Sequence, residues 1–101
     1  MSDKELEQLR IKVIPLLTKH GVVSAAIFGS RAKNQARINS DYDFLLNFDP
    51  KKEYSLYDLV DIKNNLEKKL DSPVDVITES GLNPKMKTEV HKTMKIIYAK
   101  K

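Results

Sequence analysis

Apolar residues near the start of the chain recur at helical intervals, at Leu6, Leu9, Val13, Leu16 and Leu17, which places them on one side of an α-helix. Ser2 and Glu5 have capping-box spacing ahead of that stripe, and Gly21 is a natural stop after it. Over 22–28 the pattern becomes a continuous run of β-branched, small and apolar residues bounded by Gly21 and Gly29, the mark of a buried strand. Residues 30–40 are polar, with Ser30 placed to begin one short helical turn. A second strand is predicted over 43–48, stopped by Asp49-Pro50.

Ser55 then caps a helix whose apolar arc collects Leu56, Leu59, Val60, Ile62, Leu66 and Leu70, with Asp58, Asp61, Asn65 and Lys68 opposite. Asp71-Ser72-Pro73 breaks it, and 74–78 read as a short third strand. Asn83 and Pro84 open a last helix in cap and first-turn positions. Its expected inner face is Met86, Val90, Met94 and Ile97, and its outer face Lys85, His91, Lys92 and Lys95. The predicted order is α, β, short α, β, α, β, α. That is an α/β (α+β) fold, one small domain over 1–101, with a three-stranded mixed sheet packed against helices. Two apolar helical arcs can cover one sheet face and leave the other for chemistry.

Composition narrows the function classes. At 41% hydrophobic and 32% charged residues, the chain falls in the globular range. No apolar run approaches the roughly 18 residues that span a bilayer, and the opening MSDKELEQLR lacks the layout of a signal peptide. Cysteine is absent, which excludes disulfides and thiolate metal sites and fits a cytoplasmic protein. The net charge of +4, from 18 basic and 14 acidic residues, suits an acidic ligand such as a nucleotide. The lysines are spread along the chain, however, as on a solvated surface. With no Trp and few aromatics among the basic residues, direct nucleic-acid binding is not expected.

The chemistry concentrates in FGSRAKNQARINSDYDFLLNF, residues 28–48. Asp41 and Asp43 lie two apart, so on extended chain both carboxylates point to one face about 6.5–7 Å apart. Such a pair can bracket a hard divalent cation that keeps positions open for phosphates. Asp75 is a third acid, set in the apolar strand Val74-Asp75-Val76-Ile77, where a charge is costly unless paired or bound to metal. Gly29 permits close backbone approach to a phosphate, and Ser30 offers a hydroxyl at a helix start. Arg31, Lys33 and Arg37 add positive charge nearby. Each residue has an ordinary alternative: Asp41 as a loop acid, Ser30 as an N-cap, Arg31 as a structural ion-pair partner. Neither His20 nor His91 has companions at metal-ligand spacing, and no nucleophilic triad is available.

Gly29-Ser30, followed after nine residues by Ser40-Asp41-x-Asp43 and later by Asp75 on a strand, resembles the signature of the nucleotidyltransferase superfamily that includes DNA polymerase β. The whole chain is similar to the minimal nucleotidyltransferase (MNT) family within it. The resemblance implies a nucleotide site of Gly29, Ser30, Arg31 and Ser40, with Asp41, Asp43 and Asp75 as metal-binding and catalytic residues. It implies two Mg2+ ions and ATP as substrate, one ion stabilising the leaving pyrophosphate and the other activating the attacking hydroxyl. It further implies a HEPN-domain toxin partner, neutralised by transfer of AMP to a toxin tyrosine. A binding-only antitoxin and a small-molecule nucleotidyltransferase subunit are the competing readings. The short chain leaves the acceptor, the partner or a second copy to complete the cleft. One departure is Asn34, where relatives commonly carry glycine; asparagine tolerates a left-handed backbone. Tyr42, between the two acids, is expected to point away from the metals.

Overall fold

The computed structural model describes residues 1–29, 31–32 and 41–100. Helix α1 (Asp3–Lys19) begins at the expected cap: Ser2 Oγ accepts from the Glu5 amide at 3.1 Å and donates to the Glu5 carboxylate at 3.1 Å. It buries Leu6, Leu9, Val13 and Leu17, and the chain then turns through Gly21 at φ +81°. Strand β1 (Val22–Phe28) is followed by β2 (Tyr42–Phe48), helix α2 (Leu56–Leu70) and β3 (Val74–Thr78). A 3-10 turn over Glu79–Gly81 leads to α3 (Pro84–Thr93), capped by Asn83, and to β4 (Lys95–Ala99). The short helical turn expected from Ser30 lies outside the described residues.

The sheet is mixed, as expected, but it has four strands in the order β3-β2-β1-β4 instead of three. β1 pairs antiparallel with both β2 and β4, while β2 and β3 run parallel, with α2 as the crossover that a parallel pair requires. The extra strand is made from residues assigned by periodicity to the last helix. Met94 and Ile97 have helical spacing, but Ile96-Ile97-Tyr98 is also β-branched and aromatic, and the open edge of β1 offers it backbone partners. The two supposed inner-face residues therefore part company. Ile97 is buried with α1 and α2, whereas Met94 packs on the opposite side of the sheet.

Helices α1 and α2 cover one face, over Ala25, Ile27, Phe44, Leu46, Val74 and Ile97. Helix α3 lies on the other, with Leu82 and Val90 against Ala26, Phe28 and Leu45. The second face is thus partly covered and not wholly open. The arc predicted for α2 is also too wide. Ile62 and Leu66 are buried, but Leu56 is 78% and Val60 51% exposed. Met86, expected inward on α3, is exposed as well.

Arg10 fastens α1 to β4. Its Nε donates to the Ile97 carbonyl at 3.1 Å and its Nη2 to the Ile96 carbonyl at 2.8 Å. Arg10→Met keeps the aliphatic stem and removes both charge-assisted bonds. It is expected to lower unfolding free energy by about 2 kcal/mol in urea titration. An unchanged midpoint would show that the two Arg10 bonds add nothing to the pairing and packing that hold β4.

Candidate active site

Strand register assembles the acids. Phe28 on β1 stands opposite Asp43 on β2, and Asp43 stands opposite Asp75 on β3. Side chains alternate along a strand, so Asp43 shares a face with Leu45, and Leu45 packs in the α3-side cluster. Asp43 and Asp75 therefore sit side by side on that face, on strands about 4.8 Å apart. They lie where β1 ends and β2 and β3 begin. Asp41 immediately precedes β2 and is exposed.

Asp43 senses the other two acids. The Asp43 carboxyl is held above its ordinary pKa, first by burial and then by the negative charges of Asp75 and Asp41. Asp75 is not enclosed in an apolar strand; β3 is an edge strand and Asp75 is exposed, while Val74 beside it is buried on the opposite face. Its charge is accommodated by water, and Asp43 on the inner strand is the acid that burial penalises.

Gly29 is required twice over. Its φ of +77° is a left-handed conformation, and a Cβ built there would overlap Asp43 Oδ2 and stand 3.3 Å from Asp43 Cγ. The missing side chain is what lets the turn pass over the carboxylate. Arg31 places its guanidinium 3.9 Å from the centroid of the Tyr42 ring. Tyr42 packs against the α1–α2 core, pointing away from the acids as expected. Ser30 and Ser40, with Lys33, Asn34 and Arg37, lie outside the described residues. Sequence spacing gives no sign of the hydrogen-bonded pair Glu79–His91, which joins the 3-10 turn to α3.

Among the described residues, no three His, Cys, Asp or Glu side chains form a group that could hold a metal ion as it stands. Three like charges repel in the absence of a counter-ion. The donor chemistry nevertheless fits a hard cation: carboxylate oxygens only, on one face, with a side-chain-free turn alongside.

A stability prediction follows from the Asp43 shift. An acid whose folded pKa is raised binds protons more tightly in the native state, so stability falls as pH rises through the carboxylate range towards neutrality. Asp43→Asn, without divalent cations, is expected to remove that slope and to raise stability at pH 7 by up to about 1 kcal/mol, the ceiling that solvent screening sets. Thermal melts from pH 3 to pH 8 check it. A variant with the same pH slope as the native chain would mean that Asp43 is not the strained acid.

The family model described as polymerase beta, nucleotidyltransferase, matches residues 11–101. The chain belongs to this nucleotidyltransferase family. A relative from Methanocaldococcus jannaschii, provisionally named protein adenylyltransferase MJ0435, is 42% identical over 85 residues, covering 84% of this chain and 89% of its own. A second from the same organism, provisionally named protein adenylyltransferase MJ0126, is 35% identical, covering 87% and 89%. Among solved structures, one provisionally described as a minimal nucleotidyltransferase superposes with a TM-score of 0.76 at 34% identity, covering 94% of this chain and 95% of that one. A toxin–antitoxin complex with AMP-PNP gives a TM-score of 0.77 at 20% identity, covering 91% and 74%. A tri-AMPylated Shewanella oneidensis HEPN toxin in complex with MNT antitoxin gives 0.71 at 18%, covering 93% and 72%. These last two show the nucleotidyltransferase fold. No described helix is long and apolar enough to cross a membrane.

Proposed function

We infer that this chain is a magnesium-dependent nucleotidyltransferase that moves the adenylyl group of ATP to a tyrosine hydroxyl of a HEPN-family toxin. The observation that carries the chemistry is the pairing of Asp43 with Asp75 beneath the side-chain-free turn at Gly29. Protein acceptors are supported by the names of the relatives, and a HEPN partner by the toxin–antitoxin complexes that share the fold.

Asp41 and Asp43, with Asp75, would hold the cation, which when bound supplies charge neutralisation for the triphosphate and Lewis acidity at the phosphoryl oxygen. Gly29, lacking a side chain, leaves its place to the Asp43 carboxylate. Ser30 and Ser40 are assigned to the triphosphate, and Arg31, whose guanidinium lies over the Tyr42 ring on the α1–α2 side, would have to leave that ring to join them. Asp75, on the edge strand beside Asp43, is the acid assigned to accept a proton from an arriving hydroxyl. The acceptor oxygen bonds to the α-phosphorus as the bond to the bridging oxygen breaks. The electron pair leaves with pyrophosphate and the hydroxyl proton passes to Asp75. The chain's share of catalysis is positioning and charge placement, as in phosphoryl transfer generally.

The test incubates the chain with α-labelled ATP, magnesium and a purified HEPN-family toxin. Label should appear on a tyrosine of that protein. Neutralisation of the toxin with no label transferred, and undiminished when both Asp41 and Asp43 are asparagine, would replace this reading with inhibition by contact.

A further inference from the structure

On the acid-bearing face, farther along the strands, lies a hollow of about 320 Å³. Ala26 and Leu45 form its floor, Ser24 and Asn47 its far end, and Met94 and Ile96 part of its walls. It exists because β1, an inner strand, carries small side chains on this face. Ser24 and Ala26 alternate where a larger pair would fill the space beneath α3.

The lining chemistry selects a class of occupant. Among the described residues, no Lys or Arg lines the hollow, which does not favour a phosphate there. Its polar groups are already matched: Asn47 Nδ2 donates to Ser24 Oγ at 3.0 Å, and His91 bonds Glu79. The volume is at the lower end for a small-molecule site, which suits one flat, uncharged ring lying on an apolar floor.

Position selects its source. Alternate residues on a strand are about 7 Å apart, so Leu45 lies about that far from Asp43, and Asn47 about twice as far. Transfer at phosphorus puts the attacking oxygen and the leaving pyrophosphate on opposite sides. The acids stand at one end of this sheet face and the hollow farther along it, so a group lying in the hollow can reach the acids along the face. Resting on the nucleotidyl-transfer reading, we propose that the hollow seats the aromatic side chain of the acceptor, with its hydroxyl turned back towards Asp75 and Asp43. The ring of a tyrosine spans the distance from Leu45 to the acids. Ala26, Leu45 and Asn47 then act as specificity determinants for the acceptor and not for the nucleotide.

The test titrates the full chain by amide NMR with two probes, N-acetyl-tyrosinamide and AMP-PNP with magnesium. N-acetyl-tyrosinamide should shift the amides of Ala26, Leu45 and Asn47, and Ala26→Leu should weaken it about tenfold or more while AMP-PNP affinity stays unchanged. Because Ala26 is buried, Ile96→Trp serves as a second variant: Ile96 is 52% exposed, and the larger ring narrows the mouth without repacking the core. AMP-PNP shifting those same amides and weakening in both variants would overturn the proposal, because the hollow would then hold the nucleobase. So would N-acetyl-tyrosinamide that leaves the hollow unmoved in the native chain. Failure of AMP-PNP to bind the native chain would instead remove the transferase reading, and the acceptor assignment with it.

Discussion

Asp43→Asn is expected to reduce adenylyl transfer roughly a hundred- to a thousandfold, the scale on which losing one group that stabilises transition-state charge is felt. Asp43 occupies the inner strand, flanked by Phe28 on one side and Asp75 on the other. It is the acid whose negative charge the fold holds at greatest expense, since burial and two like-charged neighbours all oppose its ionisation. An asparagine there preserves shape and relieves that strain, so the loss of rate should accompany an equal or higher melting temperature without cations. That opposition of signs separates chemistry from folding. Single-turnover transfer with saturating ATP reads the first quantity and a thermal melt the second. A variant that keeps transfer within a few-fold of native would mean that Asp43 does not touch the reacting phosphate. Asp75→Asn should also slow transfer, but with a changed pH profile, because its assigned role is proton removal.

The residues that punctuate the chain made most of the fold legible. Gly21 and Gly29 bracket β1, Ser55 and Asp71 bracket α2, and Asn83-Pro84 opens α3, each for a local reason that needs no tertiary partner. β4 was not legible because its reason is not local. Lys95–Ala99 becomes a strand only when β1, far away in sequence, presents an unpaired edge, and Met94 and Ile97 happen to satisfy a helical period as well. The same distinction runs through the site. Asp41 and Asp43 declare a shared face by spacing, and parallel register brings Asp75 beside them. Whether Asp75 is enclosed depends on strand order, which spacing does not encode; hence its exposure differs from expectation. The hollow on the acid face escaped for a related reason. Ser24 and Ala26 read simply as small strand residues until α3 and β4 wall the space beside them.

Gly29→Ala should be as damaging to transfer as loss of the carboxylate itself, and unlike that loss it should also destabilise the fold. A methyl group at position 29 would overlap Asp43 Oδ2, so the carboxylate must swing away from its place beside Asp75 or the turn must lift. In addition, alanine at φ +77° costs about 1–2 kcal/mol in any context. Two contributions with separate causes can be separated by a cycle. In an Asp43→Ala background the carboxylate is gone, so adding Gly29→Ala should lower stability by the backbone term alone and leave the residual transfer rate unchanged. Strong non-additivity in rate, with near-additivity in the backbone part of stability, is the expected pattern for two residues in direct contact. If the two substitutions multiply in rate, Gly29 serves the triphosphate independently of Asp43. The reason for glycine would then be the passage of a phosphate, and not the clearance of a carboxylate.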